Sequence, residues 1–351
     1  MSRTQKIKAL SLIVFGIVFV FRNYVIVIGQ TPAKPVLVTL NKADSTMAII
    51  DPTSMKVVAK VPTGDSPHEV VLSADGKTAF VANYGAQQPG STISVIDVAT
   101  AKELRRVDLA PLMRPHGLHM IGGKLYFTAE TNRAIARYDP AANKVDWLMG
   151  TGQNGSHMVV GSPDQRKFYT ANIGSNSVTA LEWMNPANPQ AWRVTHVNVV
   201  KGADPAAAES QPFGAQPEAI DLSPDGKEVW TALNEGGAIS VVDTTTNKFK
   251  EKISVGGRAY RVRFTPDGKW VVNSMVESKE LLIIDAATKK EIRRIKLESV
   301  PLGIAFSADG KTAFVSVVEP DAVLKIDLTS GTHLGRVETG KAPDGIAVAG
   351  M

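Results

Sequence analysis

The chain has 351 residues, 44% hydrophobic and 21% charged, which fits a folded protein and excludes a disordered one. Its formal net charge is +5, but Arg3, Lys6, Lys8 and Arg22 carry four of those charges ahead of any acid, so the rest is near neutral and nucleic-acid binding is not expected. There is no cysteine, which excludes disulfides, thiolate metal sites, a cysteine nucleophile and a lipoprotein-type anchor.

Residues 1–29 read as a targeting segment. Basic Arg3, Lys6 and Lys8 precede an apolar run from Ala9 to Phe21, which is interrupted at Arg22-Asn23. A second apolar stretch, Tyr24 to Ile28, leads to Gly29-Gln30-Thr31-Pro32. The first run is short for a membrane span and suits the core of a signal peptide. Cleavage is expected near Gly29, with Val27 and Gly29 as the small residues before the cut. The alternative is an uncleaved anchor in which Arg22 snorkels to the interface. Either places residues 30–351 outside the cytoplasm, periplasmic, secreted or at the cell surface, with membrane contact only through an uncleaved N-terminal segment.

From Pro67 onward one phrase recurs. It reads PHEVVLSADGKTAFVAN at residue 67, PEAIDLSPDGKEVWTALN at 217 and PLGIAFSADGKTAFVSVV at 301, with looser copies from Pro115, Ser156 and Ala259 and a truncated PDGIAVAG from Pro343. Seven starts, with 42 residues the commonest step, mean seven units. Each unit reads as four short strands. The innermost follows the proline, as in Glu69–Leu72. An Ala-Asp-Gly-Lys or Pro-Asp-Gly-Lys tight turn leads to a β-branched and aromatic second strand, as in Thr78–Ala82. The third ends in an apolar-Asp pair at Asp51, Asp97, Asp139, Asp243, Asp285 and Asp327, and a polar turn leads to the outer strand. This is the arithmetic of an all-β, seven-bladed propeller with four antiparallel strands per blade. The last unit stops after one strand, so Val36 to Val61 should supply its other three and close the ring.

The phrases FVANYG, FYTANIG and VWTALNEG resemble the YVTN-type β-propeller repeat family, from about Pro35 to the C-terminus. The resemblance implies the propeller fold. It leaves function open, because that family spans surface-layer proteins, lactonase-like enzymes and exported proteins, with a more distant similarity to haem- and quinone-associated propellers.

The residue after each start is His68, His116, His157, Glu218, Tyr260, Leu302 and Asp344. Three of the six histidines fall in this slot, in consecutive units. Sevenfold-related positions at the start of the innermost strands converge on the axis. The histidines are therefore candidate ligands for a divalent transition metal: zinc, copper or iron. Alternatively they satisfy backbone carbonyls and hold no metal. Glu130 and Glu218 are candidate bases, Glu130 being expected to stand where Asn83 and Asn172 stand in their units. His119 should point away from the cluster, into packing or second-layer support.

One step, from 156 to 217, is about 19 residues longer than the modal repeat of 42. The excess falls in Met184–Gln190 and Gly202–Gln216. The second piece belongs to the histidine face, as either a binding loop or a variable solvated one. Residues 150–155 are glycine-rich without the Gly-Lys-Ser/Thr of a phosphate loop and read as a blade connection. The five tryptophans are dispersed, with Trp230 and Trp270 expected to pack blades. Arg258, Arg261 and Arg263 are expected to make salt-bridge or solvent contacts, with anion binding the alternative. Two functions remain open: an extracytoplasmic scaffold that binds a small molecule or protein at the histidine face, or a metal-dependent lactonase-like hydrolase or copper or iron oxidoreductase.

Overall fold

The computed structural model describes residues 35–199 and 215–351. The expected leader, residues 1–29, and residues 202–214 of the long connection lie outside the described residues. Among the described residues, no helix is long and apolar enough to cross a membrane.

The described chain forms seven four-stranded antiparallel sheets, one per unit, arranged as the blades of a propeller. The first blade is Pro67–Leu72, Thr78–Asn83, Thr92–Asp97 and Lys102–Asp108, and the next five follow in chain order. The seventh takes Pro343–Ala349 as its innermost strand and Val36–Asn41, Thr46–Asp51 and Lys56–Pro62 as the other three. Leu37 pairs with Val348 and Val38 with Ala347, so the two ends of the ring are joined by backbone hydrogen bonds.

The turns that the repeat phrase encodes form as local chemistry dictates. In the first blade Gly76 takes φ 69°, Asp75 Oδ1 accepts the Lys77 N–H at 3.2 Å, and the Ser73 hydroxyl donates to the same oxygen at 2.7 Å. The same serine–aspartate pair returns at Ser223–Asp225 and Ser307–Asp309. The aspartates that end the third strands cap the next turn: Asp51, Asp97, Asp139, Asp243, Asp285 and Asp327 each accept a backbone N–H two or three residues on. Those backbone donors hold Asp97 and Asp243 below the usual carboxylate range.

The core is a set of clusters in the wedges between blades, such as Phe80, Ile93, Leu118 and Phe127 between the first two. Inner and middle strands are buried on both faces, whereas outer strands such as Lys144–Gly150 alternate exposed and half-buried residues. Trp230 is fully buried and Trp270 packs against the core, as expected of blade-packing residues.

Candidate functional site

Each innermost strand begins in the same way, and that local geometry builds the site. Ser66, Arg114 and Ala342 precede the opening proline with φ of 45°, 54° and 54°, a left-handed turn that swings the chain toward the axis. A bulge follows. Pro67 pairs with Asn83 and Glu69 with Ala82, leaving His68 as the extra residue, and every blade carries the equivalent irregularity. Such a bulge re-aims a side chain, here toward the axis. Small residues let the strands come close. A Cβ on Gly117 would meet Met158 Cα at 2.6 Å and the His157 carbonyl oxygen at 2.7 Å. The Thr128 hydroxyl donates to the same carbonyl at 2.7 Å, and the Ser274 and Ser316 hydroxyls do likewise to Leu302 and Asp344.

The three histidines of the slot come together. His68 Nδ1 is 3.1 Å from His116 Nε2, and the His116 and His157 rings lie 3.8 Å apart, centroid to centroid, with 33° between planes. His157 Nδ1 is 3.1 Å from the Glu218 carbonyl oxygen. A carbonyl only accepts, so Nδ1 carries a proton and donates it there. Glu130 Oε1 and Glu218 Oε1 each lie 3.7 Å from His157 Nε2. His116 is 4% exposed, and its Nδ1 has no hydrogen-bond partner. Burial pushes the His68 imidazole down to about 4 and that of His116 well below its usual value, so both are neutral at pH 7. His68 meets His116 edge-on at 67° between planes, whereas His116 and His157 lie face to face, so the three rings' in-plane lone pairs do not aim at one point. Among the described residues, no group of three histidine or carboxylate side chains is arranged to hold a metal ion.

The register corrects the expected place of Glu130. Asn83 pairs with Pro67 and Asn172 with Ser156, but the partner of Pro115 is Ala129. Glu130 therefore stands one residue beyond the Asn83 position, equivalent to Lys42, Tyr84 and Asn234. These form a second ring around the mouth, which the sequence reading missed. The Tyr84 hydroxyl donates to Glu130 Oε2 at 2.5 Å, Asn234 Nδ2 donates to Glu218 Oε2 at 3.1 Å, and Lys42 Nζ pairs with Asp344 Oδ2 at 3.0 Å. The Arg114 guanidinium lies 4.6 Å over the Tyr84 ring. Burial and the Glu130 carboxylate push the Tyr84 phenol up to about 12. The repeat alignment carried the signal for this ring, one position past each second strand.

Among the residues that follow the slot, Arg261 meets both Glu69 and Met158. Arg261 Nη2 bonds Glu69 Oε1 at 2.7 Å and lies 3.8 Å from Asp344 Oδ1. Burial pushes the Glu69 carboxyl up against the pull of Arg261. It would raise Asp344 as well, but Lys42 and Arg261 hold that group below the usual range. Asp344 Oδ1 has no hydrogen-bond partner. Arg258 bonds Asn234 and Arg263 pairs with Asp221, so all three arginines of this stretch are engaged with protein groups. His119 stands apart from the cluster, hydrogen-bonded to the Gly161 backbone.

A closed ring of seven four-stranded antiparallel blades defines a β-propeller. The chain belongs to the YNCE-like beta-propeller family, whose model matches residues 25–209. No curated protein sequence matches it significantly. It is similar in fold to a functionally unknown protein from Desulfotomaculum acetoxidans, at 11% identity and TM-score 0.71, covering 90% of this chain and 98% of that one. It is similar to Kuenenia stuttgartiensis hydrazine synthase at 19% identity and TM-score 0.63, covering 80% and 89%. It is also similar to the dihydro-heme d1 dehydrogenase NirN, at 16% identity and TM-score 0.60, covering 90% and 75%. At such identities the likeness concerns the fold alone.

Proposed function

We propose that the protein is an extracytoplasmic, YVTN-like binding propeller that takes a small ligand at its histidine-bearing mouth. One observation carries this reading: imidazoles from three successive blades meet in a cluster that leaves His116 Nδ1 without a partner. An unspent buried polar atom costs about 1–3 kcal/mol, which a ligand can recover. The N-terminal leader supports the location.

The ligand class that suits neutral imidazoles is a divalent transition metal: zinc, copper or iron. His157 has the backbone anchoring of a metal-ligating histidine, with Nδ1–H on the Glu218 carbonyl. Binding through all three rings requires His157 to swing off the face of His116. The test is titration of tag-free, metal-stripped full chain with zinc and copper salts. One ion per chain, lost in His68→Ala and His157→Ala, is the expected result; uptake that survives both substitutions overturns the site.

A second reading is a metal-dependent enzyme, hydrolase or oxidoreductase. It is favoured by the two carboxylates, Glu130 and Glu218, that flank His157 Nε2. In the hydrolytic version one of them serves as base toward a metal-activated water. Turnover of a lactone or ester panel by metal-loaded protein, abolished by Glu130→Gln or Glu218→Gln without loss of the metal, is its signature.

A further inference from the structure

Three of the five tryptophans are not dispersed in space. Trp147, on the outer strand of the second blade, meets Trp192 at 5.2 Å between ring centroids, and Trp192 meets Trp183 at 6.1 Å with planes 11° apart. With Tyr126 and Phe168 they line a cavity of about 260 Å³ between the second and third blades. It lies on the side of the Asp-Gly-Lys-like turns, away from the histidines.

The insertion that only the third blade carries at this position builds the cavity. Pro189, in Met184–Gln190, is one of its walls. The same segment takes the polar edges of two indoles. Trp183 Nε1 donates to the Asn188 carbonyl at 2.9 Å, and Trp192 Nε1 donates to the Pro189 carbonyl at 3.0 Å. Their N–H groups are thus spent on the loop, and the ring faces remain. The space between the rings opens to solvent, so a ligand can reach it.

The rim is polar and planar. Tyr126 OH donates to Gln165 Oε1 at 3.0 Å, which orients the amide and leaves its nitrogen without a partner among the described residues. Asp164 Oδ1 accepts from Ser162 Oγ and the Arg166 N–H, and Oδ2 has no partner among the described residues. Arg137 Nε is held by Asp146 at 2.7 Å, with the guanidinium 5.9 Å over the Tyr126 ring. Fixed donors and an acceptor therefore stand around an aromatic floor.

We propose that this cavity is a carbohydrate-binding site for one pyranose unit. A pyranose has an apolar C–H face that rests on an aromatic ring, and hydroxyls at its edge that each donate and accept. The volume is just under the ~300 Å³ at which drug-sized pockets begin, which suits a single ring. The Arg137 guanidinium above Tyr126 disfavours a cationic guest such as a quaternary amine, which would otherwise fit an aromatic box.

The test is titration of the full chain with glucose, galactose, N-acetylglucosamine and their disaccharides, followed by tryptophan fluorescence and calorimetry. Saturable quenching by at least one sugar is expected. Asp164→Ala and Gln165→Ala, which leave the aromatic cluster in place, should each weaken it roughly tenfold or more through the lost hydroxyl partner. Trp192→Ala should abolish it, and His157→Ala should leave it unchanged, which separates this site from the axial mouth. The proposal is overturned if no sugar binds, if the rim variants bind like the parent, or if a proline-rich peptide binds the cavity in place of the sugars.

Discussion

Arg261 of the fifth blade reaches Glu69 of the first, Nη2 to Oε1 at 2.7 Å. These blades are not neighbours in the ring, so the pair spans the axis. It also brings Arg261 near Asp344 of the seventh blade and 3.7 Å from Met158 Sδ of the third. One guanidinium thus ties four blades together beneath the histidine cluster.

Removing that cation leaves buried carboxylates uncompensated. Arg261→Met should cost about 3–5 kcal/mol of stability, read as a drop in the urea midpoint. Adding Glu69→Leu should restore part of the loss, because it removes the orphaned charge. A single variant as stable as the parent would show that the pair does not bind the ring.

Gly117→Ala tests the close approach of the second and third blades. Its Cβ would meet backbone atoms of Met158 and His157 at 2.6 and 2.7 Å, and neither can move without shifting a strand. A loss of about 1–3 kcal/mol is expected in denaturant unfolding, from overpacking. The shifted His157 backbone should weaken ligand binding at the mouth in parallel.

Tyr84→Phe removes only the hydroxyl that donates to Glu130. Hydrogen bonds to a charged group contribute about 1.5–3 kcal/mol, so thermal unfolding should register a loss near that size. The released Glu130 carboxylate should also change the affinity of a cation at the mouth. Unaltered stability together with unaltered binding would mean that the Tyr84–Glu130 contact does not form in solution.

The fold should weaken on acidification. Burial and the nearby Arg263 hold His119 at about 4, against roughly 6.5 in an unfolded chain. A depressed histidine stays neutral when folded while the unfolded chain takes up a proton. Its contribution is therefore complete above about pH 6.5 and is lost as pH falls toward 4, by about 3 kcal/mol for this one group. His68, also held at about 4, adds to the same window. Thermal unfolding between pH 7.5 and 4.5 should show the decline, and His119→Phe should shallow it by close to one proton.

The fold was legible because its signals are local and repeated. The Asp-Gly-Lys turns, the aspartates that end each third strand and the truncated last unit all read directly as blades and as a closed ring. The histidine slot was legible for the same reason, since His68, His116 and His157 keep one offset from their repeat starts. Glu130 was placed one residue off because the second blade turns its first hairpin on Gly122-Gly123 alone, which is shorter than the Asp-Gly-Lys turns and brings Ala129 rather than Glu130 opposite Pro115. Lys42 escaped notice because its partner Asp344 comes from the opposite end of the chain. The tryptophan cavity was invisible because Trp147, Trp183 and Trp192 occupy different strands of two blades and share no period.

The seam between Val36–Asn41 and Pro343–Ala349 sets an order of events for a newly made chain. The seventh blade lacks its inner strand until Pro343–Ala349 has been synthesised. Until then the apolar segment Val36–Asn41 has a free edge able to pair with a neighbouring molecule. Closing the circle joins segments about 300 residues apart, a late and entropically costly step that local turns cannot hasten. Premature termination just before Pro343 would therefore yield an aggregation-prone open ring rather than a slightly shortened propeller.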